Sequence, residues 1–132
     1  MKKIVSPLLA LTALLFTHNA LAYNPGSVEE ACKKPKFSSF SLAEYNAATK
    51  LEVPAQSDFS FTLSNNIDPA TLKLTAKKKP LPFTITDKNS FFLVTGKIPA
   101  DYTGKFIRID AQVMAKLSCK GLDGWLIKVA GQ

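Results

Sequence analysis

Histidine is almost absent from this chain. The one histidine, His18, lies in an N-terminal stretch that is expected to be removed, so the mature protein would contain none. This excludes histidine as a general base, the Ser-His-Asp and Cys-His nucleophiles, and almost every catalytic zinc or copper site. Methionine is equally scarce, because Met1 and Met114 are the only two, and a methionine-rich Cu(I) site is therefore excluded as well.

Several catalytic and phosphate-binding motifs are also missing. The chain has no Cys-x-x-Cys pair, no Ser-x-x-Lys pair and no glycine-rich phosphate loop. Carboxylates stand singly apart from Glu29-Glu30, and the Asp87-x-Asn89 sequence lacks the further ligands of a calcium loop. We therefore expect no cofactor, no metal and no enzymatic activity. An enzyme that uses carboxylates or lysine alone is the one catalytic alternative left open.

The chain also lacks an apolar run long enough to cross a bilayer, which needs about 20 residues. Its one apolar stretch, residues 4–16, follows Lys2 and Lys3 and precedes an Ala-Leu-Ala sequence ending at residue 22. Positive charge, a short apolar region and small residues before a cleavage point are typical of a secretory signal peptide. We predict a signal peptide over residues 1–22, a periplasmic or secreted protein, and no transmembrane segment in the mature chain.

The mature chain is basic. Two of the 17 basic residues, Lys2 and Lys3, lie in the leader, so 15 remain against 10 acidic residues, a net charge of +5 rather than +7. Such a domain is attracted to anionic lipid, lipopolysaccharide or acidic proteins, which makes peripheral membrane contact conceivable. Nucleic acid is not expected as a partner, because no aromatic residues alternate with the lysines. The alternative is a solvated lysine surface that prevents aggregation.

Only two cysteines are present, Cys32 and Cys119, and both lie in the exported part. In an oxidising compartment two cysteines of a small domain usually pair, so we predict a structural disulfide. A reactive thiol and intermolecular bridges are the alternatives.

From about residue 51 onward, apolar residues alternate with polar ones at the period of a half-buried strand. The clearest segments with this pattern are 59–64, 71–75, 83–86, 91–95, 105–119 and 125–129. Seven or eight short strands without a long helix predict an all-β fold, an antiparallel sandwich. We assign residues 51–132 to the sandwich and residues 23–50 to an irregular N-terminal segment that packs on it.

Turn residues separate the predicted strands. Asp68-Pro69 is one turn signal, and the sequence Lys120–Gly124 predicts a hairpin between the two last strands. With this hairpin, Cys119 would point inward and Trp125 would lie beside it in the core. Trp125 as an exposed stacking residue is the alternative.

Two stretches are similar to bacterial immunoglobulin-like domains. These are Phe59-Ser-Phe-Thr-Leu-Ser-Asn-Asn-Ile-Asp-Pro-Ala-Thr-Leu-Lys-Leu and Ile98-Pro-Ala-Asp-Tyr-Thr-Gly. The resemblance covers about residues 51–129 and implies an Ig-like sandwich, with Tyr102 as a structural residue whose hydroxyl bonds to the backbone at a corner. It implies no activity, because this architecture carries many functions.

The remaining surface candidates are a lysine run and a phenylalanine. Lys77, Lys78 and Lys79 precede Pro80 and could contact phosphate or an acidic partner. The alternative is a charged turn that blocks edge-to-edge pairing. Of the adjacent Phe91 and Phe92, alternation buries one and exposes the other, and Phe92 is taken as the outward one. Phe106, Met114 and Leu126 are also outward by register, unless the segment 37–45 covers them.

These observations favour an exported, non-catalytic Ig-like module that binds a partner protein or an envelope component. Lys77, Lys78, Lys79 and Phe92 form its candidate partner surface. A small secreted inhibitor of a hydrolase is the alternative function.

Overall fold

The computed structural model describes residues 32–131, which form two antiparallel sheets of four strands each. The predicted all-β antiparallel sandwich is confirmed. The predicted signal peptide, residues 1–22, lies outside the described residues. The eight strands are β1 (Phe37–Ser38), β2 (Asp58–Ser64), β3 (Ile67–Ala76), β4 (Lys79–Pro80), β5 (Phe83–Asp87), β6 (Phe91–Lys97), β7 (Phe106–Ala115) and β8 (Lys120–Lys128).

The first sheet has the order β1-β2-β6-β5 and the second the order β4-β3-β7-β8. This is the strand order of immunoglobulin-like sandwiches, with a short fourth strand added to the second sheet. The one helical element between residues 32 and 131 is a 3-10 helix, Ala100–Tyr102, which connects the sheets between β6 and β7. No helix in this part of the chain is long and apolar enough to span a membrane.

The core lies between the sheets and is built by strict alternation. Inward side chains on β2, β3, β7 and β8 are almost fully buried, and no polar or charged residue of the described part is buried with them. The largest of these side chains are Phe59, Phe61, Leu63, Ile67, Val94, Ile98, Ile107, Ile109, Val113, Ile127 and Val129. Branched and aromatic residues fit this pleated, two-layer packing, which explains why the period-2 pattern identified six of the eight strands.

The position of the last hairpin was predicted wrongly. β7 ends at Ala115 instead of continuing to Cys119, and the turn comprises residues 116–119 rather than 120–124. Ser118 has a φ of 68°, and its N–H donates to the carbonyl of Ala115, so the chain reverses before Cys119. Lys120–Gly124 belongs to β8 and pairs with β7.

The two glycines that suggested a turn serve packing instead. A β-carbon on Gly121 would lie 2.7 Å from the ring of Pro35, and one on Gly124 would lie 2.6 Å from the guanidinium of Arg108. Both glycines therefore let another group approach the strand closely, a common reason for glycine inside a strand.

Trp125 is buried, with 6% of its surface exposed, but it does not lie beside the disulfide. It pairs with Ile109 in the middle of β7, whereas Cys119 accepts a backbone hydrogen bond from Ala115 at the end of that strand. Six residues of strand correspond to about 20 Å. The predicted contact between Trp125 and Cys119 is wrong because it depended on the misplaced hairpin.

Asp68-Pro69 forms a bulge within β3 rather than a turn between strands. The register between β3 and β7 shifts between Asp68 and Lys73. The Asp68 carboxylate accepts the N–H of Ala70, and the hydroxyl oxygen of Thr71 accepts the N–H of Met114 on β7. Side chains thus replace ladder bonds where the proline supplies no donor, which is how a strand tolerates proline at a bulge.

The described part of the N-terminal segment contributes to both sheets. Residues 32–53, which we call the strap, pair with β2 through β1 and run along the outer edge of β8. Ser41 donates its N–H to Ser60 on β2, and Tyr45 donates its N–H to Leu126 on β8. Val53 ends the strap in a parallel bridge to Val129. The strap therefore closes one open side of the sandwich.

Aromatic side chains fix the strap to the core. Phe40 stacks on Trp125 with ring centroids 4.4 Å apart, and Phe37 contacts Trp125 edge-on at 6.2 Å. Farther along, Tyr45 packs edge-on against Phe106 at 4.8 Å. The strap thus covers part of the outward apolar surface of β7, the alternative that the sequence left open.

Tyr102 attaches the link between the two sheets to β3. Its hydroxyl donates to the carbonyl oxygen of Ala76 at 3.0 Å, so the 3-10 helix is attached to the end of β3. The bond reaches a strand 26 residues away in sequence.

Candidate functional site

The lysine run forms the turn between β3 and β4. Lys77 and Lys78 have φ values of 49° and 65°, and the flanking Ala76 and Lys79 are paired. Two central residues with positive φ are typical of a type I′ hairpin, where asparagine and glycine are the residues with the lowest conformational cost. All three lysines are exposed, and Pro80 next to them removes a donor from the edge strand β4. The run therefore lies in the β3–β4 turn and at the edge of the second sheet.

Phe92 points inward, which corrects the prediction that it is the exposed member of its pair. The buried Val94 fixes the even-numbered residues of β6 on the inner face, and Phe92 packs against the core cluster. Phe91 is the outward residue, with 37% of its surface exposed. The prediction failed because alternation gives the spacing of the two faces but not which face is buried.

The two parts of the predicted partner surface lie at opposite ends of the sandwich. Phe92 pairs with Leu63, which lies four residues before the start of β3, and the Asn65–Asn66 turn connects the two. The lysine run follows the far end of β3, a ten-residue strand that is about 30 Å long. The structure therefore does not bring Phe92 and the lysine run together.

The predicted disulfide between Cys32 and Cys119 is present, with a Cα–Cα distance of 5.8 Å. It joins the start of the strap to the β7–β8 turn, across 87 residues of sequence. Between residues 32 and 131 the chain has no other cysteine.

The disulfide brings together lysines that are far apart in sequence. Lys33 and Lys34 follow one cysteine, and Lys120 follows the other. With Lys36, Lys116 and the apolar Leu117 of the same turn, they form what we call the disulfide-end surface. All six side chains are exposed, and Leu117, at 69%, is the most exposed large apolar residue in the described part.

Hydrogen bonds through Asn66 hold the two sides of this surface together. The Asn66 side-chain amide donates to the carbonyl of Lys33 at 2.8 Å, and its backbone carbonyl accepts the N–H of Lys116 at 2.9 Å. Lys36 is fixed beside them, because its N–H donates to the hydroxyl of Ser64. A depression of about 300 Å³ lies between Lys33, Lys116 and Leu117. The backbone under the lysines is therefore ordered while their ammonium groups extend into solvent.

The positive charge of the disulfide-end surface is not neutralised by contacts among the described residues. The ion pair in residues 32–131 is Arg108–Asp110 on β7, and no lysine ammonium in that range lies within 4.0 Å of a carboxylate oxygen of another described residue. Among residues 32–131, Asp68 and Asp87 are the acidic residues at this end of the sandwich. Within that part of the chain, the five lysines of the disulfide-end surface outnumber these two carboxylates and produce a positive field around the turn.

The outer faces of the sheets offer two shallow depressions of different character. One, of about 730 Å³, lies on the first sheet among hydroxyl side chains with Asp58 and Lys97 at its edge. The other, of about 600 Å³, lies on the second sheet around the Arg108–Asp110 pair. Within residues 32–131 no group of three histidine, cysteine or acidic residues is arranged to hold a metal ion.

The disulfide-end surface was not predicted from the sequence, although the lysines next to both cysteines indicate it. Pairing the two cysteines places Lys33 and Lys34 next to Lys120, so the predicted disulfide already implied a lysine cluster. In the linear sequence the contiguous run Lys77–Lys79 is the more obvious basic cluster. Comparison with protein-family models and with curated proteins finds no match to the chain, so its function has to be inferred from these residues.

Proposed function

We propose that this chain is an exported, non-catalytic module that binds an anionic component of the cell envelope or an acidic partner protein. Export is supported by the signal-peptide pattern of residues 1–22 and by the disulfide, a bond typical of oxidising compartments. The Ig-like order of the strands is compatible with a binding module, since such sandwiches carry many different binding surfaces.

The disulfide-end surface is the observation that carries the proposal. A covalent bridge and the Asn66 hydrogen bonds hold the backbone of Lys33, Lys34 and Lys116 close together, and no carboxylate of residues 32–131 is in contact with their ammonium groups. Because like charges repel, the convergence of these lysines is unfavourable, and an anionic ligand would relieve the repulsion. Lysines scattered only for solubility would not need to converge.

The run Lys77–Lys79 is a weaker candidate, because its three lysines are contiguous in one hairpin and no disulfide joins them to another basic segment. Its lysines lie at a hairpin tip with exposed side chains, and the edge strand that follows is two residues long.

Two double variants with equal loss of charge test the proposal. Lys33→Gln with Lys34→Gln removes two charges from the disulfide-end surface. Lys77→Asn with Lys78→Gly removes two from the turn while supplying the residues that a type I′ turn prefers. The measurement is sedimentation of each purified, oxidised protein with envelope fractions of its own host. We expect the first variant to bind about tenfold or more weakly, since a lysine near an anionic surface contributes about 1 kcal/mol.

The matched variant is expected to bind nearly as well as the wild-type protein. Equal losses in both variants would show that net charge alone causes the association, without a defined surface. If the wild-type protein does not sediment with the envelope fraction even at low salt, the proposed function is wrong.

A further inference from the structure

We propose that the disulfide-end surface docks on a bilayer of anionic phospholipid, with Leu117 entering the interface between headgroups and acyl chains. This inference rests on the proposed function and names its ligand. It follows from the position of an apolar side chain at the centre of a lysine cluster.

Leu117 occupies the tip of the β7–β8 turn. Lys116 precedes it, Lys120 begins the next strand, and Lys33 lines the same depression. Contact with water is unfavourable for a leucine side chain that is 69% exposed, and its burial in an apolar medium would lower the free energy. The lysines around it have flexible four-carbon stems, which let the ammonium groups reach phosphates while the stems lie along apolar surface.

The turn that carries Leu117 is preorganised. The N–H of Ala115 donates to the carbonyl of Cys119, and the N–H of Ser118 donates to the carbonyl of Ala115. The Sγ atom of Cys32 lies 3.2 Å from the carbonyl oxygen of Leu117, so the disulfide packs directly against the tip. A turn fixed in this way loses little conformational freedom on docking.

The type of basic residue favours a lipid surface over an acidic protein. Arginine is the cation enriched in protein interfaces, where its planar group forms paired bonds with carboxylates, whereas lysine is depleted there. The chain has one arginine, Arg108, which lies on β7 away from this end and is paired with Asp110. All five cations of the disulfide-end surface are lysines. Flexible point charges suit the mobile headgroups of a bilayer, which offer no fixed geometry.

Vesicle binding with substitutions at the tip tests this inference. The full purified protein is titrated with vesicles of phosphatidylglycerol mixed with phosphatidylcholine, and with vesicles of phosphatidylcholine alone. We expect binding only to the first kind and a loss with added salt, because the Debye length is about 10 Å at 0.1 M. Leu117→Ser should weaken this binding about tenfold, in proportion to the apolar surface of a leucine side chain.

Leu51→Ser is the matched control, since Leu51 is 52% exposed and lies in the strap outside the disulfide-end surface. It should leave the affinity unchanged. A Leu117→Trp variant gives a second readout, because its fluorescence should shift to the blue on addition of anionic vesicles. The native Trp125 is buried and should contribute no shift.

Three outcomes would overturn the inference. Equal affinity of Leu117→Ser and wild type, with no fluorescence shift of Leu117→Trp, would show that the tip does not enter the bilayer. Equal binding to both kinds of vesicle would show that anionic headgroups are not recognised. Binding to soluble polyglutamate or to envelope fractions, without binding to anionic vesicles, would leave the proposed function standing and refute the lipid as its ligand.

Discussion

Replacing Cys32 and Cys119 together by serine is expected to lower the melting temperature by about 15 °C or more. The bridge closes a loop across 87 residues. In the chain-entropy model such a loop contributes about 4–5 kcal/mol to the free energy of unfolding, which is an upper value in practice. A domain of this size shifts by about 4–8 °C for each kcal/mol.

The loss of stability should be largest near the missing bridge. Without the bridge, the first residues of the strap are held by Pro35 against Gly121 and by the bonds of Lys36 and Asn66. We expect amide hydrogens of Lys36 and Lys116 to exchange much faster than those in the middle of β7. Thermal unfolding followed by circular dichroism measures the global effect, and hydrogen exchange measures the local one.

Reductant provides the control for the disulfide experiment. Dithiothreitol should lower the melting temperature of the wild-type protein to that of the double serine variant and should not affect the variant itself. An unchanged melting temperature on reduction of the wild type would contradict the structural role of the bridge.

Trp125→Ala is expected to destabilise the protein by about 3–5 kcal/mol, the usual range for removal of a buried aromatic side chain. Trp125 lies between the strap and the core. It stacks on Phe40 at 4.4 Å and contacts Phe61 at 4.9 Å. Its removal leaves both a cavity and an unsupported strap. Urea unfolding followed by circular dichroism measures the change.

Leu122→Ala on the same strand is the matched control, because its side chain points to solvent. This control should change the free energy of unfolding by about 0.5 kcal/mol or less. Trp125→Phe should recover part of the loss, since a smaller aromatic ring can still pack on Phe40. If Trp125→Ala and Leu122→Ala had similar effects, Trp125 would not anchor the strap as described.

The sequence predicted the layers of this fold well, because alternation is a direct consequence of strand geometry. Phe59, Phe61 and Leu63 alternate with small polar residues and are buried as expected. The odd-numbered residues of β7 behave in the same way. Any strand with one buried and one solvated face produces this signal, whatever the surrounding structure.

Local signals failed where tertiary contacts determine the conformation. Gly121 and Gly124 suggested a turn, yet one makes room for Pro35 and the other for the side chain of Arg108. Pro69 suggested a chain reversal, yet side-chain hydrogen bonds accommodate it within β3. Glycine and proline occur both in turns and at special positions within strands. Only the contacts with neighbouring segments of the chain determine which of the two structures forms.

The candidate site could be predicted only in part, because it joins distant parts of the sequence. The cysteines were identified and paired, but the lysines beside them were not considered as a group. The exposure of Leu117 can be predicted only when the hairpin is placed correctly, at residues 116–119. A strand continuing to Cys119 would have placed Leu117 on the inner face.

Site-specific photo-cross-linking in the native host tests most directly whether the disulfide-end surface is the contact surface. A photoreactive amino acid replaces Leu117 in one variant and Lys78 in another, and both positions are exposed turn residues at opposite ends of the sandwich. We predict cross-links to an envelope component from position 117 and few or none from position 78. Efficient cross-linking from position 78 with none from position 117 would contradict the assignment of the binding surface.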